Sequence, residues 1–165
     1  MNSEIAVWGL LALAMASAMV AGVFLTFSDL VMPSLRRANS AAGSEAMQII
    51  NRKVYRSVFL ALLMGMVPVS VAVAVSASLL VSAVAVPWLV VAGSLYVFGV
   101  FGTTVVGNVP MNQALDRMSL AGAEAQAYWP DYVRGWLPLN HLRTFASAAA
   151  AACYMIAAVL LAQGG

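Results

Sequence analysis

A short polar stretch near the carboxyl-terminal end of the chain holds residue types that move protons and stabilise anions. Asn140, His141, Arg143 and Thr144 fall within it, and His141 is the only histidine of the 165 residues. Imidazole is the usual proton acceptor near neutral pH, and amide and guanidinium groups stabilise a developing oxyanion. The stretch predicts a proton-abstraction site in which His141 is the base and Asn140 and Arg143 hold the resulting negative charge.

Further polar side chains stand at the ends of other apolar segments. Asn108 and Asn112 lie on either side of Pro110, Asp29 ends an early apolar segment, and Asn51 precedes the next one. Polar and ionisable groups within membrane segments are costly to bury and indicate function by default. We predict that Asn108 and Asn112 donate hydrogen bonds to the same anion, and that Asp29 and Asn51 contact the substrate.

Three aromatic residues precede the histidine. Trp129, Tyr132 and Trp136 are spaced i, i+3, i+7, which places them on one face of a helix. Their flat surfaces could stack on the rings of an aromatic substrate. The alternative is an aromatic belt at the surface of a membrane, where Trp and Tyr are enriched.

The polar residues also have plain structural interpretations. Asp29 could form an ion pair with Arg52 or Arg143, because charges within membranes usually find partners. The asparagines could cap helix ends, and a single histidine at a membrane interface could have no catalytic role. The sequence leaves these alternatives open.

The composition predicts an all-α membrane protein. Hydrophobic residues make up 63% of the chain and charged residues 8%, whereas a soluble domain carries about 25% charged residues. Four apolar segments, 5–27, 57–75, 84–106 and 145–162, meet or approach the roughly 20 residues that span a bilayer as a helix. They do not alternate polar and apolar residues as the strands of a β-barrel do.

The basic residues predict the orientation. All eight lie in two stretches, with Arg36, Arg37, Arg52, Lys53 and Arg56 in the first and the others in the second. Cytoplasmic loops are enriched in Lys and Arg. We therefore expect loops 32–56 and 109–143 on the cytoplasmic side of the inner (plasma) membrane, and both termini on the non-cytoplasmic side. The polar ends of all four helices then meet at the cytoplasmic face.

The expected architecture is a single domain, residues 1–165, folded as an up-down bundle of four transmembrane helices. The helices are predicted at about 5–31, 46–77, 84–108 and 138–162, with an outer turn that includes Ser82. Proline favours helix ends. We therefore expect the first helix to end before Pro33, Pro110 to end or break the third, and Pro138 and His141 to lie in the first turn of the fourth. Ser44 is the expected cap of the second helix.

Signatures of several other protein classes are absent from the sequence. It contains no phosphate-binding loop, dinucleotide-binding motif, zinc-protease motif or paired-cysteine motif, and Cys153 is the only cysteine. The few basic residues flank membrane segments and do not indicate nucleic-acid binding. No cofactor or metal is expected. An alternative is a small haem or copper protein in which His141 and one of four methionines are ligands. Those methionines are Met32, Met47, Met111 and Met118.

Several strings of the sequence resemble the DUF1772, or anthrone oxygenase-like, integral membrane proteins. They are GVFLTFSDLVMPSL (22–35), AMQIINRKV (46–54), FGVFGTTVVGNVPMNQAL (98–115) and, after Trp129, WLPLNHLRTFASAAAAA (136–152). The most specific pieces are Asn108-Val-Pro-Met-Asn112 and Asn140-His141-Leu-Arg143-Thr144. The resemblance extends over nearly the whole chain.

The resemblance implies a cofactor-independent monooxygenase that oxidises an anthrone, or another electron-rich lipophilic aromatic, with O₂. Such a substrate supplies its own electrons and could arrive from the lipid bilayer. The alternative is a non-enzymatic membrane protein that binds a lipophilic small molecule such as a quinone, or that acts as a partner subunit. Assembly into a homo-oligomer stays open at this stage.

Overall fold

The computed structural model describes residues 3–81 and 83–163, and within these ranges the chain is helical and contains no strand. Ser82, expected in the outer turn, lies outside the described residues. The α-helices are α1 (Ser3–Thr26), α2 (Met32–Arg37), α3 (Ser40–Val54), α4 (Val58–Leu80), α5 (Val86–Ser94), α6 (Val109–Arg117) and α7 (Ala123–Gln163). Among the described residues, π-helical segments connect α1 to α2 (Phe27–Val31) and α5 to α6 (Leu95–Gly102 and Thr104–Asn108) without a break.

Within the described residues, four continuous helical spans are long and apolar enough to cross a membrane: Glu4–Arg37, Val58–Ala77, Val86–Arg117 and Ala123–Gln163. Large apolar side chains on their outer faces, such as Trp8, Phe98 and Phe145, are exposed and suit contact with lipid. The predicted all-α architecture with four transmembrane helices is confirmed, and the chain is a multi-pass membrane protein.

Contacts between the spans give their arrangement. The α1 helix packs along α7 and α4, and α5 packs between α4 and α7. Phe24 of α1 meets Phe59 near the start of α4, and Tyr96 donates a hydrogen bond to the carbonyl of Leu63. Neighbouring spans therefore run antiparallel. The end of the bundle that carries α2, α3, α6 and the start of α7 also carries the exposed basic residues, and we name it the basic end.

Two hydrophobic cores are stacked along the bundle. The membrane core includes Leu10, Phe24, Leu63, Tyr96 and Tyr154. The second core lies at the basic end, where α3 packs against the ends of the spans; it consists of Met32, Met47, Leu115, Ala125, Trp129, Tyr132, Val133 and Trp136. A layer of buried polar side chains lies where the two cores meet.

Pro33 and Pro110 do not end the helices, contrary to expectation. Each lies at the start of an α-helix that directly follows a π-helical segment, Pro33 in α2 and Pro110 in α6. Proline lacks an N–H donor and collides with the carbonyl of residue i−4 in a regular helix. Where π-helical hydrogen bonding changes to α-helical hydrogen bonding, the backbone donors and acceptors pair at a different spacing. The chain therefore accommodates these prolines, and each helix continues.

The expected second helix is two helices. The amphipathic α3 is capped by Asn39, whose side chain accepts a hydrogen bond from the Ala42 N–H at 2.9 Å. A break follows α3, and Ser57 caps the amino-terminal end of α4. Ser44, the predicted cap, instead lies buried inside α3 and bonds to the Ser40 carbonyl. The cap prediction was wrong because Asn39 supplies an earlier side-chain acceptor.

The fourth helix begins at Ala123 rather than near Pro138, so most of the expected loop 109–143 is helical. At 1.5 Å per residue its 41 residues measure about 60 Å, twice the roughly 30 Å hydrocarbon layer. Its first half therefore extends past the membrane core and builds the second core. Pro130, Pro138 and His141 lie inside this helix, so the expectation that His141 occupies a first turn was wrong.

Candidate functional site

The polar layer between the two cores is assembled from five parts of the chain. Its buried members come from the π-helical segments of the first and third spans, from α3 and from α7. They are Ser28, Asn51, Thr104, Asn108, Asn140, Arg143 and Thr144. The half-buried Asn112 of α6 lies beside them. Two of the π-helical segments, Phe27–Val31 and Thr104–Asn108, fall at this depth, and such irregularities often mark functional sites.

Asn140 connects the first and fourth spans. Its side-chain Nδ2 donates to the carbonyl of Phe24 at 2.7 Å and to the hydroxyl of Ser28 at 2.6 Å. Its Oδ1 accepts a hydrogen bond from a terminal nitrogen of Arg143 at 2.6 Å. Asn140 has no exposed surface, and both polar atoms of its side chain form hydrogen bonds. It therefore fixes the position of the Arg143 guanidinium.

Arg143 is a buried cation without a carboxylate partner among the described residues. Only 6% of its surface is exposed, its second terminal nitrogen lies 3.5 Å from the hydroxyl of Thr104, and its Nε has no protein partner. The guanidinium stands 4.3 Å from the ring centroid of Phe24 and 5.2 Å from that of Trp136. Aromatic faces stabilise a cation, but buried charges normally also find an anion. The geometry therefore leaves Arg143 able to bind an anion.

A cavity of about 90 Å³, which we name the Arg143 cavity, opens beside this guanidinium. It is lined by Val23, Phe24, Phe27, Met47, Ile50, Asn51, Val54, Phe59, Asn112, Trp136, Asn140 and Arg143. Apolar side chains form most of the wall, and its polar part consists of Asn51, Asn112, Asn140 and Arg143. Drug-sized ligands occupy pockets of roughly 300–1,000 Å³, so the cavity in this state holds only a small molecule or one edge of a larger one.

Asn112 organises the aromatic residues of α7. Its Oδ1 accepts a hydrogen bond from the Tyr132 hydroxyl at 2.8 Å and one from the Trp136 indole at 3.0 Å. Tyr132 is stacked between Trp129 and Trp136, with ring centroids 5.6 and 6.4 Å away. All three rings are buried, so they form part of the second core and not a belt exposed to the membrane surface. Only Trp136 lines the cavity.

Two more predicted asparagines lie in the polar layer with one atom unpaired. Asn108 is fully buried and donates from Nδ2 to the carbonyl of Trp136 at 3.2 Å, while its Oδ1 has no protein partner. Asn51 is buried and lines the cavity, and its Nδ2 has no protein partner. Buried polar atoms are nearly always bonded to protein or to water. The Asn51 amide is therefore a candidate to bind water or a ligand, whereas Asn108 does not line the cavity and its Oδ1 is a candidate to bind water only.

His141, Asp29 and Trp129 do not line the Arg143 cavity. His141 is exposed and faces a separate groove that Trp129 also lines. No methionine is among the residues that line this groove. Asp29 is exposed on the first span and forms no ion pair in the described structure, while Arg52 pairs with Asp116 at 2.5 Å. The structure thus separates His141 from the asparagines with which it was predicted to act, and the alternative in which Asp29 pairs with Arg52 or Arg143 is not observed among the described residues.

The structure adds Phe24, Ser28 and Thr104 to the site. Each contacts Arg143 or its holder Asn140. Ser28 and Thr104 are short hydroxyl residues in apolar segments, where such residues are common and usually bond their own helix. The only hint in the sequence was that each stands close to a residue already singled out, Ser28 beside Asp29 and Thr104 four positions before Asn108.

An apolar surface groove lies next to the cavity, between α1 and α4. This α1–α4 groove has a volume of about 460 Å³ and is lined by Met19, Gly22, Val23, Thr26, Val58, Phe59 and Leu62. Val23 and Phe59 line both the groove and the Arg143 cavity. Phe59 also contacts Phe24 edge to face, with ring centroids 5.5 Å apart. These side chains form the partition between the cavity and the outer surface of the bundle.

Comparison with known proteins identifies one family. The family model described as Anthrone oxygenase matches residues 52–153, a stretch that runs from the end of α3 into the second half of α7. It contains Asn108, Asn112, Asn140 and Arg143, whereas the contribution of α1 to the site lies outside it. No curated protein and no solved structure matches the chain.

Proposed function

The chain belongs to the anthrone oxygenase family, and from this premise we propose that it is a membrane oxygenase that oxidises an anthrone-like aromatic with O₂. The substrate is an electron-rich, lipophilic aromatic whose carbanion is stabilised as a phenolate. Arg143 binds that anion. The observation that carries the proposal is the buried guanidinium with no carboxylate partner in the described structure, held by Asn140 at the edge of an apolar cavity.

The chemistry needs only the substrate and O₂. The carbon between the two aromatic rings loses a proton, and the charge moves to the oxygen across the central ring. The anion gives one electron to O₂, and the resulting radical and superoxide combine to form a C–O bond. The peroxide takes up a proton. Loss of the remaining hydrogen of that carbon as a proton, with cleavage of the O–O bond, then gives the quinone and water.

Arg143 contributes by lowering the free energy of the anion. A fixed positive charge beside a largely apolar cavity stabilises developing negative charge more strongly than it would in bulk water, and it raises the acidity of the bound substrate by the same interaction. Neither an imidazole nor a carboxylate is among the residues that line the Arg143 cavity. We propose that water that reaches the carbon across the ring from the bound oxygen accepts the proton. The assignment of His141 as base stays a prediction from the sequence.

The size of the cavity determines how the substrate fits. A tricyclic aromatic exceeds about 90 Å³, whereas the adjoining α1–α4 groove offers about 460 Å³. We propose that the rings occupy this groove and that Val23 and Phe59 move aside to admit the oxygen-bearing edge. The groove faces the surface that lipid covers in a membrane, so a lipophilic substrate reaches it from the bilayer.

Oxygen uptake by the purified protein tests the proposal. With an anthrone as substrate, the wild type is expected to consume one O₂ per quinone formed. Arg143→Gln is expected to lose at least about 100-fold, the usual cost of removing one oxyanion-stabilising group. Arg117→Gln, an exposed arginine of α6, is the control. His141→Ala is expected to retain activity; its inactivity in a folded protein would instead support His141 as the base.

A protein that only binds a lipophilic molecule would give a different result. It would bind an anthrone or a quinone without consuming oxygen, and Arg143→Gln would reduce binding alone. Retained binding without turnover in the wild type would therefore replace the oxygenase proposal with the binding-module alternative.

A further inference from the structure

A second, larger groove lies at the basic end, and the proposed oxygenase chemistry makes no use of it. This α7 groove has a volume of about 510 Å³ and follows one face of α7 from Trp129 to His141. Arg36 of α2 and Ser40 at the start of α3 complete its lining. It is separate from the Arg143 cavity, since the two share no lining residue.

The polar part of the α7 groove is positively charged. Arg36 and Arg134 line it, and no acidic residue does. Arg134 lies 3.4 Å from Asp131, but both side chains are largely exposed, at 80% and 69%, and an ion pair in such a position holds its partner weakly. Arg36 forms no ion pair in the described structure. The amino-terminal end of α3, where Ser40 lies, adds a partial positive charge.

The other part of the groove is apolar and leads toward the membrane. Val133, Leu137 and Pro138 form its wall below Arg134. Immediately beyond His141 on the same helix, Leu142 and Phe145 are 50% and 71% exposed, which is typical of a surface covered by lipid chains. The groove thus runs from cationic side chains near the membrane surface to an apolar surface at hydrocarbon depth.

We propose that the α7 groove binds an anionic phospholipid. The phosphate lies between Arg36 and Arg134, and an acyl chain follows Val133 and Leu137 toward Phe145. The order of the groups in the groove, cations above and hydrocarbon below, matches the order of the groups in such a lipid. Basic pockets beside transmembrane helices are a known mode of anionic headgroup recognition. A free phosphate ion would match only the upper, cationic part.

Native mass spectrometry of the purified protein with equal amounts of phosphatidylglycerol and phosphatidylcholine tests the site. The wild type is expected to retain phosphatidylglycerol preferentially. The double variant Arg36→Gln, Arg134→Gln is expected to bind it about tenfold or more weakly. The matched control is Arg37→Gln with Arg117→Gln, which removes the same charge from the basic end but leaves the groove lining intact.

Three results would overturn the proposal. The first is an equal loss of phosphatidylglycerol binding in both double variants, which would mean diffuse attraction to the basic end. The second is equal retention of the two lipids by the wild type. The third is displacement of phosphatidylglycerol by millimolar inorganic phosphate. The single variant Arg134→Glu gives a further reading, because charge reversal within the groove is expected to remove the preference for phosphatidylglycerol. A preference that survives this change contradicts the site.

Discussion

Arg143 and its hydrogen-bond partner Asn140 are three positions apart on α7 and lie on the same face of the helix. That face points inward to the polar layer. His141 follows Asn140 directly, so it is rotated by about 100° around the helix axis and faces outward. The sequence correctly singled out the polar stretch 140–144. The sequence could not show which of these side chains point inward. In a helix that contacts lipid, the outward positions are apolar as well as the inward ones, so hydropathy does not mark the inward face.

A carboxylate placed next to Arg143 tests whether its unpaired charge matters. Thr104→Asp is expected to pair with the guanidinium, leave thermal stability unchanged or higher, and reduce oxygen uptake by about tenfold or more, because the anion then competes with a fixed negative charge. Thr104→Val, which has nearly the same shape without a charge, is the matched control and is expected to lose little activity. Full activity in a stable Thr104→Asp protein would argue against anion binding at Arg143.

At the level of the helices, the hydrogen bonds of Asn112 join α6 to α7. Asn112→Leu leaves the buried Tyr132 hydroxyl and Trp136 indole without an acceptor, at a cost of about 1–3 kcal/mol for each unsatisfied group. Asn112→Asp keeps an acceptor oxygen and is expected to be destabilised less. Thermal unfolding in detergent measures the difference. Equal transition temperatures for wild type and Asn112→Leu would show that the two bonds do not hold these helices together.

The groove between α1 and α4 can be filled without disturbing the packing. A Cβ atom at Gly22 would meet no atom within 4 Å, so Gly22→Leu is expected to fold normally while its side chain occupies the α1–α4 groove. For an anthrone dissolved in lipid, kcat/KM is expected to fall about tenfold, equivalent to about 1.4 kcal/mol.

Gly9→Leu provides the matched control for this experiment. Gly9 lies on the same helix with equally open space around its Cβ position, but at the other end of the bundle. It is expected to leave kcat/KM unchanged. If both leucine variants behave like the wild type, the substrate does not pass through the α1–α4 groove.

The prolines show which features of the helices the sequence could predict. Hydropathy gave four spans because each needs a long apolar segment. The helix ends near Pro33 and Pro110 were predicted wrongly. The rule that proline ends a helix assumes regular α-helical hydrogen bonds, and the π-helical segments before these two prolines change that bonding pattern, so the helices continue. The start of α7 was missed since its first half is amphipathic and packs against α3, a tertiary contact that hydropathy along the sequence does not report.

At the level of the whole molecule, the two stacked cores place the polar layer at the basic end of the bundle. The distribution of Lys and Arg predicts that this end faces the cytoplasm. This prediction depends on the distribution of charge alone. The orientation determines the side of the membrane from which water and protons reach the Arg143 cavity.

Cysteine labelling tests this orientation in a Cys153→Ala background. Ala83→Cys and Ser119→Cys are exposed positions at opposite ends of the bundle. A membrane-impermeant thiol reagent added to intact cells is expected to label Ala83→Cys alone, and Ser119→Cys only after the cells are opened. The reverse pattern would contradict the predicted orientation.

The absorption spectrum of an anthrone bound without oxygen is the most direct test of the central claim that Arg143 binds the substrate as an anion. In the absence of O₂ the reaction stops before electron transfer. The wild type is therefore expected to show the spectrum of the anthrone anion at a pH where the free compound is neutral, and Arg143→Gln is expected to show only the neutral form. A neutral spectrum for substrate bound to the wild type would contradict the account.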